Sequence, residues 1–268
     1  MAEKIRILFL SANPWTTSRI RVDKEAREIF EKLEEGRYRD RFDLKKHAAI
    51  RPGDLQRLLM KHEPHIVHFS GHGSKAKKII LEGAPGCGKQ VDPRGLVDVF
   101  RLYSRHLRLV LLNACFTKGQ AQALTEVIDY SVGISKAIGD RAGVTFAGAF
   151  YRALGFGRSV REAFDSAKAE LKLTKTPRSQ GIELFVRNGV PIDESFPSFD
   201  TKVGDDNQEM LPVAVRHLLA GDATDLESGF VQRAMLNGGL IVKQTRERFE
   251  GGTKVLEKSV VSYFRLRC

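Results

Sequence analysis

The chain has 268 residues, 42% of them hydrophobic and 29% charged. That suits one large soluble domain, or one domain plus a small module, and excludes a disordered chain. No apolar run approaches the roughly 18 residues of a membrane span. The net charge of +11 is uneven: residues 192–268 hold 10 Lys/Arg against 12 Asp/Glu, leaving 34 against 21 in residues 1–191. Those basic residues are scattered and not interleaved with aromatics, which argues against nucleic acid as a direct ligand.

Ile5–Ser11 is a short apolar run ending in small residues, which predicts a buried strand. It is too short for a signal peptide and lacks the small-residue cleavage site, so a cytoplasmic protein without a membrane anchor is expected. Residues 21–35 place Val22, Ala26, Ile29, Phe30 and Leu33 at helical spacing, and Gly36 ends that helix. Residues 42–48 predict a second strand, and Pro52 opens a short helix to Met60. Pro64 then breaks the chain before a third strand over 65–70. Residues 70–74 read as a turn, 77–81 as a small strand and 83–88 as a loop. Asp92-Pro93 caps a helix to about Arg105, because proline suits the first helical position. Strands over 109–112, 131–135 and 182–186 alternate with helices over 120–128, 142–154 and 160–171.

Strands alternating with helices over 190 residues predict an α/β fold: a mainly parallel sheet of about six strands with helices on both faces. Residues 1–191 form this domain. The acidic stretch 192–210, with Pro197, Gly204 and Asp205-Asp206, reads as a linker. Residues 211–268 make a small α+β segment with a regulatory or partner-coupling role. In it helices are expected over 213–219 and 226–236, and strands over 240–244 and 254–265.

Three cysteines, Cys87, Cys115 and Cys268, give neither a disulfide framework nor a zinc spacing, and no metal or cofactor is expected. His62, His65 and His68 look metal-rich, but Pro64 forbids the helix that an i, i+4 histidine pair needs. Gly83 to Lys89 fits the opening of a phosphate-binding loop. Gln90 then replaces the required Ser/Thr and Val91-Asp92-Pro93 delays the helix, so a glycine-rich surface hairpin is the better reading. Trp15, just past the first strand, either lines a groove or caps the core edge.

In open parallel sheets, ligands bind beyond the carboxyl ends of the strands. His72 and Cys115 each stand just past such an end. Singly, one reads as a loop histidine and the other as a buried structural cysteine. Together they suit thiol nucleophilic catalysis, with an imidazole to move the proton and backbone amides of Gly73 and Cys115 to bind an oxyanion. Gly71 and Gly73 bracket the histidine. It precedes the cysteine by 43 residues, close to the roughly 50 of caspase-type dyads.

The segments His-Phe-Ser-Gly-His-Gly (68–73), Leu-Leu-Asn-Ala-Cys (111–115), Gly-Ile-Ser-Lys-Ala-Ile-Gly-Asp (133–140) and residues 150–164 resemble the CHAT family of bacterial caspase-like peptidases. The resemblance covers about residues 4–190. It implies a caspase-type α/β sheet, a dyad on His72 and Cys115, and endoproteolysis of a protein substrate. It also implies a setting in antiviral defence or cell death, with an activating sensor or partner. By position it carries the specificity pocket onto Asn13, Asn113 and Ser135. Asp140 is either an acidic wall favouring Arg or Lys, or the cap of the helix from Ala142, and the spacing favours the cap. The alternative to a peptidase is a caspase-like scaffold that binds a partner without cutting it.

Overall fold

The computed structural model describes residues 4–190 in full and residues 229–236, 239–250 and 253–265 as backbone strands. Two compact units divide the chain, residues 1–199 and 200–268.

In chain order the first unit runs β1 (Ile5–Ser11), α1 (Val22–Glu34), β2 (Phe42–His47), α2 (Pro52–His62), β3 (Ile66–Ser70), β4 (His72–Gly73), β5 (Ile79–Glu82), β6 (Gly88–Gln90), α3 (Pro93–Leu102), β7 (Leu109–Asn113), α4 (Lys118–Leu124), β8 (Tyr130–Ile134), α5 (Asp140–Gly155), α6 (Val160–Leu173) and β9 (Ile182–Val186). Six strands form one sheet in the order β2-β1-β3-β7-β8-β9. All its pairings are parallel except β8 with β9, which are antiparallel.

The period-2 alternation of each strand feeds two cores. Ile5, Ile7 and Phe9 of β1 join Leu109 and Leu111 of β7 against helices α1, α5 and α6. Leu8, Leu10, Val67, Phe69, Val110 and Leu112 face the other way, against α2, α3 and α4. The fold expected from the sequence, a mainly parallel six-stranded sheet covered on both faces, is the one found. Each fully buried Leu or Ile contributes about 1.5–3 kcal/mol, so the two layers lock the strand order.

Helix starts follow local chemistry. Asp92 caps α3, its Oδ2 accepting from the Gly95 amide at 3.0 Å. At α6, Ser159 and Glu162 form a capping box.

Two local expectations change, and one holds. The turn over 70–74 contains a two-residue strand, His72–Gly73, paired antiparallel with Ile79–Ile80. The glycine-rich stretch is, as expected, the tip of a hairpin, β5–β6, and Gly88–Gln90 is a strand where a phosphate-binding loop needs a helix. In the second unit, Gly229–Leu236 is a strand (β10), not part of a helix over 226–236. It pairs antiparallel with β11 (Gly239–Glu250), which pairs with β12 (Thr253–Arg265). The register Leu236↔Gly239 leaves Asn237-Gly238 between two strands, and that dipeptide is among the strongest short hairpin signals. It outweighs the helix reading. The linker 192–210 and the helix expected over 213–219 lie outside the described residues.

Candidate active site

Strands β3 and β7 are adjacent and in register, with Ser70 opposite Asn113. His72 and Cys115 each follow two residues later, on the carboxyl edge of the sheet. Gly71 continues the pairing, its amide donating to the Asn113 carbonyl at 3.3 Å. The next contact is closer still. A Cβ on Gly73 would lie 1.7 Å from the Cys115 carbonyl oxygen and 3.2 Å from the Cys115 nitrogen. The backbones of the two predicted site segments therefore touch, and glycine is what permits it.

His72 is half-buried, and its Nε2 is buried with no hydrogen-bond partner among the described residues. Burial holds the ring's pKa below the ordinary histidine value, while the Ser18 backbone carbonyl and the Asp140 charge oppose that shift. The imidazole is thus neutral at pH 7, with its Nε2 unengaged. Cys115 is a free, half-buried thiol.

The turn carrying Cys115 is tightly held. Phe116 has φ of +62°, a left-handed conformation that is uncommon for a bulky residue and is often found at functional turns. Thr117 is fully buried, with its Oγ1 2.8 Å from the Ala114 carbonyl and accepting from the Ile134 amide of β8 at 3.1 Å. The sequence reading passed over Thr117; its place two residues past the cysteine is the only signal for it.

The predicted pocket residues are engaged inside the protein. Asn13 closes its own loop, Nδ2 donating to the Ile20 carbonyl at 3.1 Å and Oδ1 facing the Ile20 amide at 3.4 Å. The same loop is tied to the β5–β6 hairpin, the Gly88 amide donating to Thr16 Oγ1 at 2.8 Å, and it delivers Ser18 to His72. Trp15 on it is 71% exposed, with its ring edge against Gly86. Ser135 donates from its Oγ to the Gly181 carbonyl at 3.2 Å. Asp140 is the first residue of α5, with Gly139 at the cap, so the expected capping role falls one residue earlier. Its carboxylate accepts from Arg21 Nε at 2.7 Å. Asn113 donates from Nδ2 to Glu25 at 2.6 Å.

The histidines at positions 62, 65 and 68 are dispersed. His62 Nε2 lies 3.0 Å from His47 Nε2, His65 Nδ1 accepts from the Arg6 amide, and His68 is buried in the sheet. Among the described residues no three His, Cys, Asp or Glu side chains converge. A cleft of about 580 Å³ between α1, α5 and α6 is lined by Arg21, Lys24, Arg141 and Arg152, and includes neither His72 nor Cys115. No helix of the described residues is long and apolar enough to cross a membrane.

A family model described as the CHAT domain matches residues 10–197. A curated protein described as a Roc-COR-CHAT protease, from an unknown prokaryotic organism, is 26% identical over 136 residues, covering 48% of this chain and 13% of that protein. A probable protease of Gillisia limnaea is 24% identical over 153 residues, covering 55% of this chain and 26% of its own length. The chain thus spans about a quarter or less of these relatives. A secreted C11 cysteine protease from Bacteroides thetaiotaomicron, solved with an irreversible peptide inhibitor, superposes with a TM-score of 0.46 at 12% identity, over 68% of this chain and 66% of that one.

Proposed function

The chain belongs to the CHAT-domain family, and from that premise we propose that it is a cysteine endopeptidase with Cys115 as nucleophile and His72 as general base. The observation that carries this reading is the contact of the Gly73 backbone with Cys115, which brings two strand-end segments to one point. The thiolate of Cys115 attacks the scissile carbonyl carbon. His72 Nε2 takes the thiol proton and returns it to the leaving amine, and the same imidazole then activates water to hydrolyse the thioester. The Ser18 carbonyl orients the ring through its other nitrogen. The amides of Gly73 and Cys115 receive the oxyanion.

The substrate is a protein segment, bound in extended form along the exposed edge near Trp15. By the same reading Asn13 and Ser135 frame the specificity pocket, and Asp140 is its acidic wall once a basic substrate side chain displaces Arg21. We further propose a regulated protease of bacterial antiviral defence or cell death, switched by a sensor partner, as the family resemblance suggests. The matching stretch lies within much longer relatives, which supports such control.

Incubation with a proteome-derived peptide library tests the activity. New N-termini from the wild type, absent with Cys115→Ala, are expected and reveal the residue before the cut. An identical set of termini from both proteins would overturn the reading.

The pH profile follows from His72. Only the neutral imidazole acts as base, and its pKa lies below 6.5 because the ring is buried. The acid limb of kcat/KM is therefore expected below pH 6.5. Asp140→Asn removes a charge that favours the imidazolium, so the limb should move lower still. A limb above 6.5, or one shifted upward in that variant, would contradict the assignment.

A further inference from the structure

The described residues hold two buried carboxylates, and they are treated differently. Asp129 is 3% exposed and pairs with Arg108 and Arg187. Glu25, 4% exposed in the first turn of α1, has no Lys or Arg partner among the described residues. It accepts instead from three side chains of the sheet: His68 Nε2 at 2.7 Å, Asn113 Nδ2 at 2.6 Å and Ser70 Oγ at 2.6 Å. The rest of that sheet face is apolar, lined by Ile7, Phe9 and Leu111. A buried carboxyl group is costly to desolvate, and an apolar side chain of similar volume is often as stable in its place. Core stability alone does not account for an acid here.

Its partners do. Ser70 precedes His72 by two residues, and Asn113 precedes Cys115 by two. We propose that Glu25 is a positioning residue for the dyad, one carboxylate that clamps the ends of β3 and β7 and the start of α1 so that His72, Cys115 and Ser18 meet. This rests on the peptidase reading above.

The carboxylate stands in the first turn of α1, so its bonds to β3 and β7 also tie that helix start to the sheet; the turn itself is closed by the backbone, the Glu25 amide donating to the Arg21 carbonyl at 3.2 Å, and Arg21 holds Asp140. Behind it, His68 Nδ1 lies 3.3 Å from the hydroxyl of Tyr151, which is fully buried. The Glu25 carboxylate can only accept, so His68 Nε2 carries its proton toward it, and Nδ1 faces the Tyr151 hydroxyl, which burial and the Glu25 charge keep protonated. Asn113 is packed from behind by α5: a Cβ on Gly143 would lie 2.7 Å from its Nδ2. Each donor thus has one orientation. Glu25 touches no substrate and acts only through the residues it holds.

Thiol alkylation tests this without a known substrate. Iodoacetamide labelling is followed peptide by peptide, with Cys87 in the same molecule as the reference thiol and a thermal melt for each variant. His72→Ala must first slow Cys115 at least tenfold relative to Cys87; if it does not, the dyad reading fails and takes this proposal with it. Given that, Glu25→Leu is expected to slow Cys115 about tenfold, with Cys87 unchanged. Glu25→Gln is expected within about threefold of wild type, because its amide oxygen still accepts from His68 and Asn113 while the Ser70 hydroxyl turns to accept. Should Glu25→Leu not fold, Ser70→Ala removes a single arm and is expected to slow Cys115 about threefold. A folded Glu25→Leu or Ser70→Ala whose Cys115 reacts at the wild-type rate, when His72→Ala does not, overturns the positioning role alone.

Discussion

Cys115→Ala is expected to lower kcat by about 10⁴- to 10⁶-fold, the loss seen when a nucleophile of a linked catalytic group is removed. The one hydroxyl within the turn from Cys115 to Thr117 cannot replace it. The neighbouring Thr117 hydroxyl is fully buried and committed to the Ala114 carbonyl and the Ile134 amide. The protein should stay folded. Cys115 meets Gly73 through its backbone, which alanine keeps, and its side chain is only half-buried. Steady-state cleavage of a peptide identified from the library measures the loss, and a thermal melt within about 2 °C of wild type separates chemistry from unfolding. Retention of more than about one part in a hundred of the activity would remove Cys115 from the mechanism.

Gly73→Ala is expected to be nearly as damaging, by a different route. The added methyl would sit 1.7 Å from the Cys115 carbonyl oxygen and 2.8 Å from its carbonyl carbon. Both are backbone atoms that cannot swing away, so β4 and the Cys115 turn must move apart by more than an ångström. Overpacking of this kind costs roughly 1–3 kcal/mol, or about 2–12 °C of melting temperature in a domain of this size. A displacement of about 1 Å at reacting groups costs on the order of a hundredfold in rate. Loss of kcat/KM by at least about a hundredfold, together with a lower melting temperature, is the expected result. Gly53→Ala serves as the comparison. It lies in α2 with nothing within 4 Å of the new Cβ, so stability should hold or rise by a few tenths of a kcal/mol. Wild-type activity in Gly73→Ala would mean that the two segments are not held together as described.

Much of this was legible from apolar runs. The strands β1, β3, β7 and β8 are fully or largely buried and read as short hydrophobic stretches, and the parallel order follows from the helices between them. That the segments carrying His72 and Cys115 meet is legible from two strand ends and a glycine bracket. Other features left weaker marks. Glu25 shares the helical face of Ala26, Ile29 and Leu33, and an acid on an apolar stripe is a readable signal. Phe30, which is 50% exposed, competes for that stripe by spacing alone and hides the acid within it. The Ser18 carbonyl that meets the imidazole carries no sequence signal, since every residue has one. Asn13, Asn113 and Ser135 were placed near the site by position, but their hydrogen bonds depend on tertiary neighbours, Ile20, Glu25 and Gly181, that spacing along the chain does not reveal. In the second unit, Asn237-Gly238 should have outranked helical spacing over 226–236.

The pairing of an activated thiol with its base is tested most directly by an irreversible peptide electrophile and site mapping by mass spectrometry. Covalent adduct is expected on Cys115 and not on Cys87 or Cys268, at a rate that falls at least tenfold in His72→Ala. Adduct on Cys87 instead, or labelling of Cys115 that is indifferent to His72, would contradict it.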